Sequence, residues 1–208
     1  TWVPCTKAEL GSTIRAIPIA LLLTEKRDGT HKCRAVVLGN QYHRSATEQF
    51  FAPVASWTAL RLLTTTASRE GDFIRAFDLE NAFLNAELPE GSPPIYVSLP
   101  PAWREVGDRP IRRLVRALYG LPQSPILWYR KYEAGLRAEG WEVSPFEPGM
   151  WRKPSKAGSG YLKMIVYVDD NVCTGPDDNE LEGEIAKILK RFPGREIRSV
   201  EGAAGFLE

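Results

Sequence analysis

Residues 161–173 read Tyr-Leu-Lys-Met-Ile-Val-Tyr-Val-Asp-Asp-Asn-Val-Cys. A mostly apolar run leads straight into two adjacent carboxylates, and the apolar pair Val172-Cys173 follows Asn171. No other segment constrains the fold as strongly. Neighbouring side chains on a regular strand point to opposite faces, so an Asp-Asp pair in mid-strand drives one acid into the core. A tight hairpin with Asp169-Asp170 at its tip removes the conflict, because both acids then project from the end of the sheet and Asp is a favoured turn residue. A plain polar hairpin turn looks the same, so the pair alone assigns no chemistry.

The rest of the chain predicts a mixed architecture. A hairpin is expected from strands at residues 17–26 and 32–38, joined at Asp28-Gly29. Residues 58–70 read as a helix with Leu60, Leu63 and Ala67 on one face and Gly71 closing it. Residues 73–77 form a short apolar strand ending at Asp78, and residues 95–99, 111–117 and 161–168 are further strands. Residues 124–139 read as a helix with Ser124 as cap, Pro125 in the first turn and Gly140 past the end. Its buried face carries Trp128, Tyr132 and Leu136. Residues 179–192 are amphipathic, with acids in the first turn and Lys187, Lys190 and Arg191 in the last, as the helix dipole favours. The expected class is α+β, with helices on one face of an antiparallel sheet. A chain of 208 residues, 43% hydrophobic and 25% charged, suits one core or two small lobes sharing a cleft. The longest apolar run, near residues 14–23, is broken by Arg15 and Pro18 and is too short to span a bilayer. No membrane association is expected. The three cysteines lack metal-ligand spacing and read as free thiols, and no basic, apolar leader stands at Thr1. Together these features predict an intracellular protein.

Charge is nearly balanced at +1 but lopsided along the chain. Residues 103–137 hold eight basic residues against three acids, and residues 72–91 hold five acids against Arg75. This suits a protein that grips phosphates on one surface and cations on another, and it equally describes two solvated faces. The acidic stretch contains a second carboxylate at a strand end, Asp78, followed by a chain reversal through Leu79-Glu80-Asn81-Ala82-Phe83. Exposed backbone N–H groups there suit a metal-bound polyphosphate; an Asp helix cap gives the same pattern. Asp78 lies roughly ninety residues before Asp169, and central strands of one sheet bring such positions side by side. Three clustered carboxylates repel unless cations neutralise them. Two Mg²⁺ ions about 4 Å apart would do so and would clamp a phosphoryl transfer. Nucleases and polymerases share that geometry.

Four blocks occur in order: Phe50-Phe51-Ala52-Pro53-Val54; Phe77-Asp78-Leu79-Glu80-Asn81-Ala82-Phe83-Leu84-Asn85; Leu118-Tyr119-Gly120-Leu121-Pro122-Gln123-Ser124-Pro125 with Trp128-Tyr129; and Tyr167-Val168-Asp169-Asp170 with Thr174-Gly175. This set closely resembles the reverse transcriptase domain of copia-type (Pseudoviridae-like) LTR retrotransposons, from about Trp2 to the C-terminus. Just upstream of these, Lys32-Cys33-Arg34-Ala35-Val36-Val37-Leu38-Gly39 is similar to that family's finger strand and makes a fifth block.

The resemblance implies a fingers-and-palm fold without a thumb. Fingers would cover residues 1–70 and 93–124, and palm 71–92 and 125–208. It implies an RNA-directed DNA polymerase in which Asp78, Asp169 and Asp170 bind two Mg²⁺, with Mn²⁺ as a substitute. Phe83 matches the aromatic gate under the sugar, although by itself it reads as a core aromatic. Gln123 matches the glutamine that contacts the incoming dNTP. Lys32 and Arg34 resemble the triphosphate-binding finger residues, their roles not separable from sequence. Leu79, Glu80, Asn81 and Ala82 would offer backbone amides near the phosphates. Tyr167 would pack near the primer terminus. Arg112, Arg113 and Arg116 are candidates for template–primer contacts or for solvated charge. The implied partners are an RNA template, a DNA primer and the other regions of a Gag-Pol-type polyprotein. The implied setting is a cytoplasmic virus-like particle or the nucleus. Asn171 departs from the aliphatic residue usual after the Asp-Asp pair and is expected to weaken the returning strand. The final Gly205-Phe206-Leu207-Glu208 resembles the family's Phe-Leu-Gly-Ile block, altered at its end. Two other readings remain: a non-catalytic, degraded or co-opted module with a structural or interaction role, and a two-metal nuclease, against which Gln123 and Phe83 count.

Overall fold

The computed structural model describes residues 1–5, 15–42, 50–104, 110–158 and 160–197. The block at residues 205–208 therefore lies outside the described residues. In chain order the elements are β1 (Trp2–Pro4), β2 (Ile17–Glu25), β3 (His31–Val37), α1 (Trp57–Glu70), β4 (Phe73–Leu79), β5 (Tyr96–Ser98), β6 (Ile111–Leu114), α2 (Ser124–Ala138), β7 (Glu142–Val143), β8 (Met150–Pro154), β9 (Tyr161–Tyr167), β10 (Asp170–Gly175), α3 (Asp178–Arg191) and β11 (Gly194–Ile197). The class is α+β. Among the described residues no helix is long and apolar enough to cross a membrane. The chain divides into two units, Thr1–Phe51 with Phe83–Trp128, and Ala52–Ala82 with Tyr129–Glu208.

In the first unit, a five-stranded sheet runs in the order β1-β6-β5-β2-β3. β2 and β5 pair in parallel and the other neighbours antiparallel. Ile17, Ile19, Val37, Val97, Leu114 and Leu118 form its core. The β2–β3 hairpin keeps Glu25 opposite His31, so its connection has five residues rather than a two-residue turn. Lys26 donates to the Thr30 carbonyl at 2.8 Å, and the Asp28 carboxylate accepts from both the N–H and the hydroxyl of Thr30. That side-chain bracket favours the longer loop, with Gly29 at φ +78°. The stretch from Leu118 to Ser124 is tied down from two sides. Val37 donates to the Tyr119 carbonyl at 2.8 Å. The Ser124 hydroxyl donates to the Leu118 carbonyl at 2.7 Å and accepts from the Leu118 N–H. Ser124 is thus the first helical residue, and its hydroxyl closes this loop instead of capping the helix. Gly120 has φ +86°, and a Cβ there would stand 2.0 Å from the Val37 carbonyl oxygen. Only glycine fits.

In the second unit, a six-stranded antiparallel sheet runs β11-β4-β10-β9-β8-β7. Ser56 caps α1 by accepting from the Ala59 N–H, and Gly71 in the left-handed region ends it. Ala59 and Leu63 of α1 pack on Ile165 and Val172. The alternate strand positions face the other way. Gly175 lies against Leu162 and against Leu181 of α3, and Asn171 meets Tyr132 of α2. Helices therefore cover both faces, α1 on one and α2 with α3 on the other, which corrects the one-face expectation. The reason lies in the strands themselves. Met164, Ile165 and Val166 are all buried, as are Val172 and Cys173, so β9 and β10 are apolar on both sides and need cover on both. At the far edge of the sheet, Arg75 of β4 bonds Asp178 of α3 at 2.6 and 2.9 Å and also bonds Glu196 of β11.

Candidate active site

Strand register decides where the carboxylates meet. Asp170 of β10 is directly opposite Asp78 of β4 on one side and Tyr167 of β9 on the other. The next rung carries a hydrogen bond, from the Leu79 N–H to the Asp169 carbonyl at 2.9 Å. Asp78 and Asp170 are therefore a non-hydrogen-bonded pair, the narrow kind, with Cα atoms about 4.5 Å apart and side chains on one face. Like charges so opposed destabilise a sheet. Partial burial, then Asp169, then Asp78 push the Asp170 carboxyl up to about 6. Arg195 of β11 also pairs with Asp78, but its Nε is 3.9 Å from the carboxylate and its side chain is 72% exposed, so it neutralises little. Tyr167 shares this face and is half-exposed.

The turn between β9 and β10 has two residues, Val168 and Asp169. Val168 has φ +61°. A positive φ at the first turn position alone is the pattern of a type II′ hairpin, which matches strand twist but normally takes glycine there. A β-branched residue in that region is strained. Asp169 thus sits at the tip and Asp170 at the first strand position. Asn171 does not weaken β10, which continues in register to Gly175. Its side chain is fully buried and hydrogen-bonded at both ends. Sequence reading missed this role. The available signal was a primary amide in an otherwise apolar strand.

The segment after Asp78 is only partly free to bind an anion. The Leu79 N–H is taken by the Asp169 carbonyl and the Glu80 N–H by the Pro193 carbonyl at 2.8 Å. This corrects the expectation that both amides face phosphate, because β11 and the hairpin claim them first. Asn81, exposed at φ +53°, turns the chain, and Ala82 opens a short 3-10 turn through Asn85.

The remaining candidates belong to the first unit. Lys32 and Arg34 are exposed on β3. The Arg34 guanidinium lies 6.0 Å from the centre of the Tyr119 ring, and Phe83 meets the same ring edge-on at 5.1 Å. Gln123 Oε1 is buried and has no hydrogen-bond donor among the described residues. On β6, Arg112 is buried and bonds the Ile111 carbonyl; Arg116, beyond the end of that strand, is half-exposed beside Glu87.

The Asp78–Asp170 rung with Asp169 beside it offers hard oxygen donors and excess negative charge, the chemistry that suits Mg²⁺ or Mn²⁺. Among the described residues no three acidic, histidine or cysteine side chains stand gathered in a ready coordination cage. The fit is one of donor type and charge.

The sequence profile of the reverse transcriptase (RNA-dependent DNA polymerase) family matches residues 6–205. The chain belongs to that family, in its copia-type branch. It is 32% identical over 165 residues to a retrovirus-related Pol polyprotein from transposon RE1 of Arabidopsis thaliana, covering 78% of this chain and 11% of that one. It is 26% identical over 172 residues to the corresponding polyprotein from transposon TNT 1-94 of Nicotiana tabacum, covering 78% and 13%. It is 28% identical over 190 residues to the Ty1-DR1 Gag-Pol polyprotein of Saccharomyces cerevisiae, covering 90% and 10%. The chain thus spans about a tenth of the length of the curated relatives it matches. A solved structure of Candida albicans telomerase, bound to a telomeric RNA fragment, aligns over 96% of this chain and 45% of that one, with TM-score 0.41 and 11% identity.

Proposed function

We propose that this chain is the fingers and palm of an RNA-directed DNA polymerase, the first unit being fingers and the second palm, so that relative to the expected bounds residues 52–70 pass to the palm and residues 83–92 and 125–128 to the fingers. The direct cross-strand opposition of Asp78 and Asp170, with Asp169 at the adjoining turn, carries the reading. Such a rung costs stability in a free sheet and is useful where cations are held. Asp78, Asp169 and Asp170 bind two divalent ions, Mg²⁺ or Mn²⁺. Bound there, the ions would supply charge neutralisation and Lewis acidity to transfer of a nucleotidyl group from a dNTP to a primer 3′-hydroxyl, which gives up its proton as pyrophosphate leaves.

The other residues bind and orient. Tyr167 presents its ring on the carboxylate face toward the primer terminus. Lys32 and Arg34 hold the triphosphate. Phe83, braced by Tyr119, rejects a ribose 2′-hydroxyl. Gln123 offers its unpaired oxygen to the nucleotide, and a buried acceptor left unsatisfied costs about 1–3 kcal/mol, which a ligand donor would recover. Asn81 and Ala82 offer backbone amides near the phosphates, and Arg116 contacts the duplex backbone. The template is RNA, as the description of the matching family supports, and the setting is a Gag-Pol-type polyprotein, as the names of its relatives support.

Primer extension on an RNA template with dNTPs and Mg²⁺ tests this. Wild type extends the primer, while Asp78→Asn and Asp170→Asn lose activity by at least about 10³-fold, as expected when metal-binding groups of a phosphoryl transfer are removed. Equal extension by all three proteins refutes the site. No extension by any, together with no Mn²⁺ binding, leaves the non-catalytic reading.

A further inference from the structure

The hydrogen-bond chain behind the hairpin has no part in the family resemblance, because residue 171 is where this sequence departs from it. We infer that Asn171 and Tyr132 are positioning residues that set the direction in which Asp169 and Asp170 leave the turn. The inference rests on the reading of those aspartates as metal ligands.

A buried primary amide is costly unless both of its ends are paired. Asn171 is fully buried and both ends are used. Its Oδ1 accepts from the Tyr132 hydroxyl at 2.8 Å, and its Nδ2 donates to the Asp169 carbonyl at 2.8 Å. Burial lifts the Tyr132 hydroxyl well above its ordinary pKa, so it stays a neutral donor. The ring is itself fixed, edge-on to Phe192 at 5.3 Å and 81°. The Asp169 carbonyl thus receives two donors, Asn171 Nδ2 and the Leu79 N–H from the strand that carries Asp78.

That carbonyl belongs to the peptide joining Asp169 to Asp170. Holding it fixes ψ of the first and φ of the second, and hence where both carboxylates point. The turn needs such a hold. Val168 stands in the left-handed region, where a β-branched residue is strained, and strain of this kind persists only where the surroundings over-determine it. An aliphatic side chain at 171 would fill the space, remove the acceptor from Tyr132 and leave the Asp169 carbonyl with Leu79 alone of these two donors. This chain thus anchors its turn to α2 by a polar link.

The test uses the full chain and the variants Asn171→Leu, Tyr132→Phe and the double mutant. Amide exchange by NMR is read at Leu79, against Leu162 and Ile185 as core controls. Mn²⁺ affinity is read by electron paramagnetic resonance. In each single variant, exchange at Leu79 speeds up about 10-fold while the controls hold, as expected for loss of a local hydrogen-bonded link. Mn²⁺ affinity falls about 10-fold, as for other groups that orient metal ligands. The double mutant is no worse than Asn171→Leu, because one link is broken. Leu79 exchange and Mn²⁺ affinity both within twofold of wild type in Tyr132→Phe overturn the inference, and that variant removes one oxygen, so it decides the matter even where Asn171→Leu fails to fold. Absence of Mn²⁺ binding by wild type overturns the metal reading instead, and the exchange measurement then still decides whether the link holds the turn.

Discussion

Asp170→Asn should make the metal-free protein more stable, and only above the pH at which Asp170 ionises. The folded-state value of about 6 lies above the ordinary 3.8, so the folded protein holds this proton more tightly than the unfolded chain does. The sign follows from linkage: a raised acid favours folding below about pH 4, and the advantage is lost as pH rises through 6. Above that, the ionised carboxylate burdens the fold. The full displacement corresponds to roughly 3 kcal/mol. Solvent reaching the partly exposed carboxyl screens this to about 1–1.5 kcal/mol. Asparagine keeps the shape and drops the charge. Calorimetry in EDTA should therefore show the variant melting about 2–6 °C above wild type at pH 7.5, with the gap closing near pH 4. Because Asp78 and Asp169 titrate with Asp170, the apparent midpoint belongs to the cluster. Added Mg²⁺ should reverse the order, raising the wild type more than the variant. A variant less stable than wild type at pH 7.5 in EDTA, or a gap independent of pH, would refute the claim that mutual repulsion burdens this rung.

Two further outcomes follow from the first unit. Gly120→Ala places a methyl 2.0 Å from the Val37 carbonyl oxygen in a left-handed conformation, and should lower stability by more than about 2 kcal/mol in urea titration; a loss below 0.5 kcal/mol would show that the loop yields freely. Gln123→Leu removes an unpaired buried oxygen, so it should raise stability by up to about 1 kcal/mol while weakening dNTP binding measured by calorimetry; unchanged dNTP affinity would detach Gln123 from the nucleotide.

Much of the skeleton is legible because the signals are local. The three helices announce themselves by period, and Gly71 and Gly140 mark ends that the chain respects. The elements that escape sequence reading are those defined by partners. β11 reads Gly-Arg-Glu-Ile and has no strand pattern of its own; it exists because β4 offers an edge. β8 mixes Arg152 and Lys153 with a proline and resembles a loop until β9 pairs with it. For the site, the residue types were readable and the rung was not. Nothing local sets Asp170 against Asp78, because that register arises from strand pairing across some ninety residues. Asn171 was misread for the same reason. A polar residue in an apolar strand looks like a defect until Tyr132, 39 positions earlier, supplies its partner.

The position of β4 between β10 and β11 has a consequence for how the protein is made. Leu79 ends the strand, and the first residue able to pair with it in the sheet is Asp170. At about 5–20 residues per second of synthesis, the ribosome leaves that strand without either neighbour for on the order of 10 s. Phe73 and Ile74, each 48% accessible even in the finished sheet, stand bare throughout the wait. On a nascent polypeptide this is the segment that chaperones, or a second chain emerging from the same polysome, will meet first.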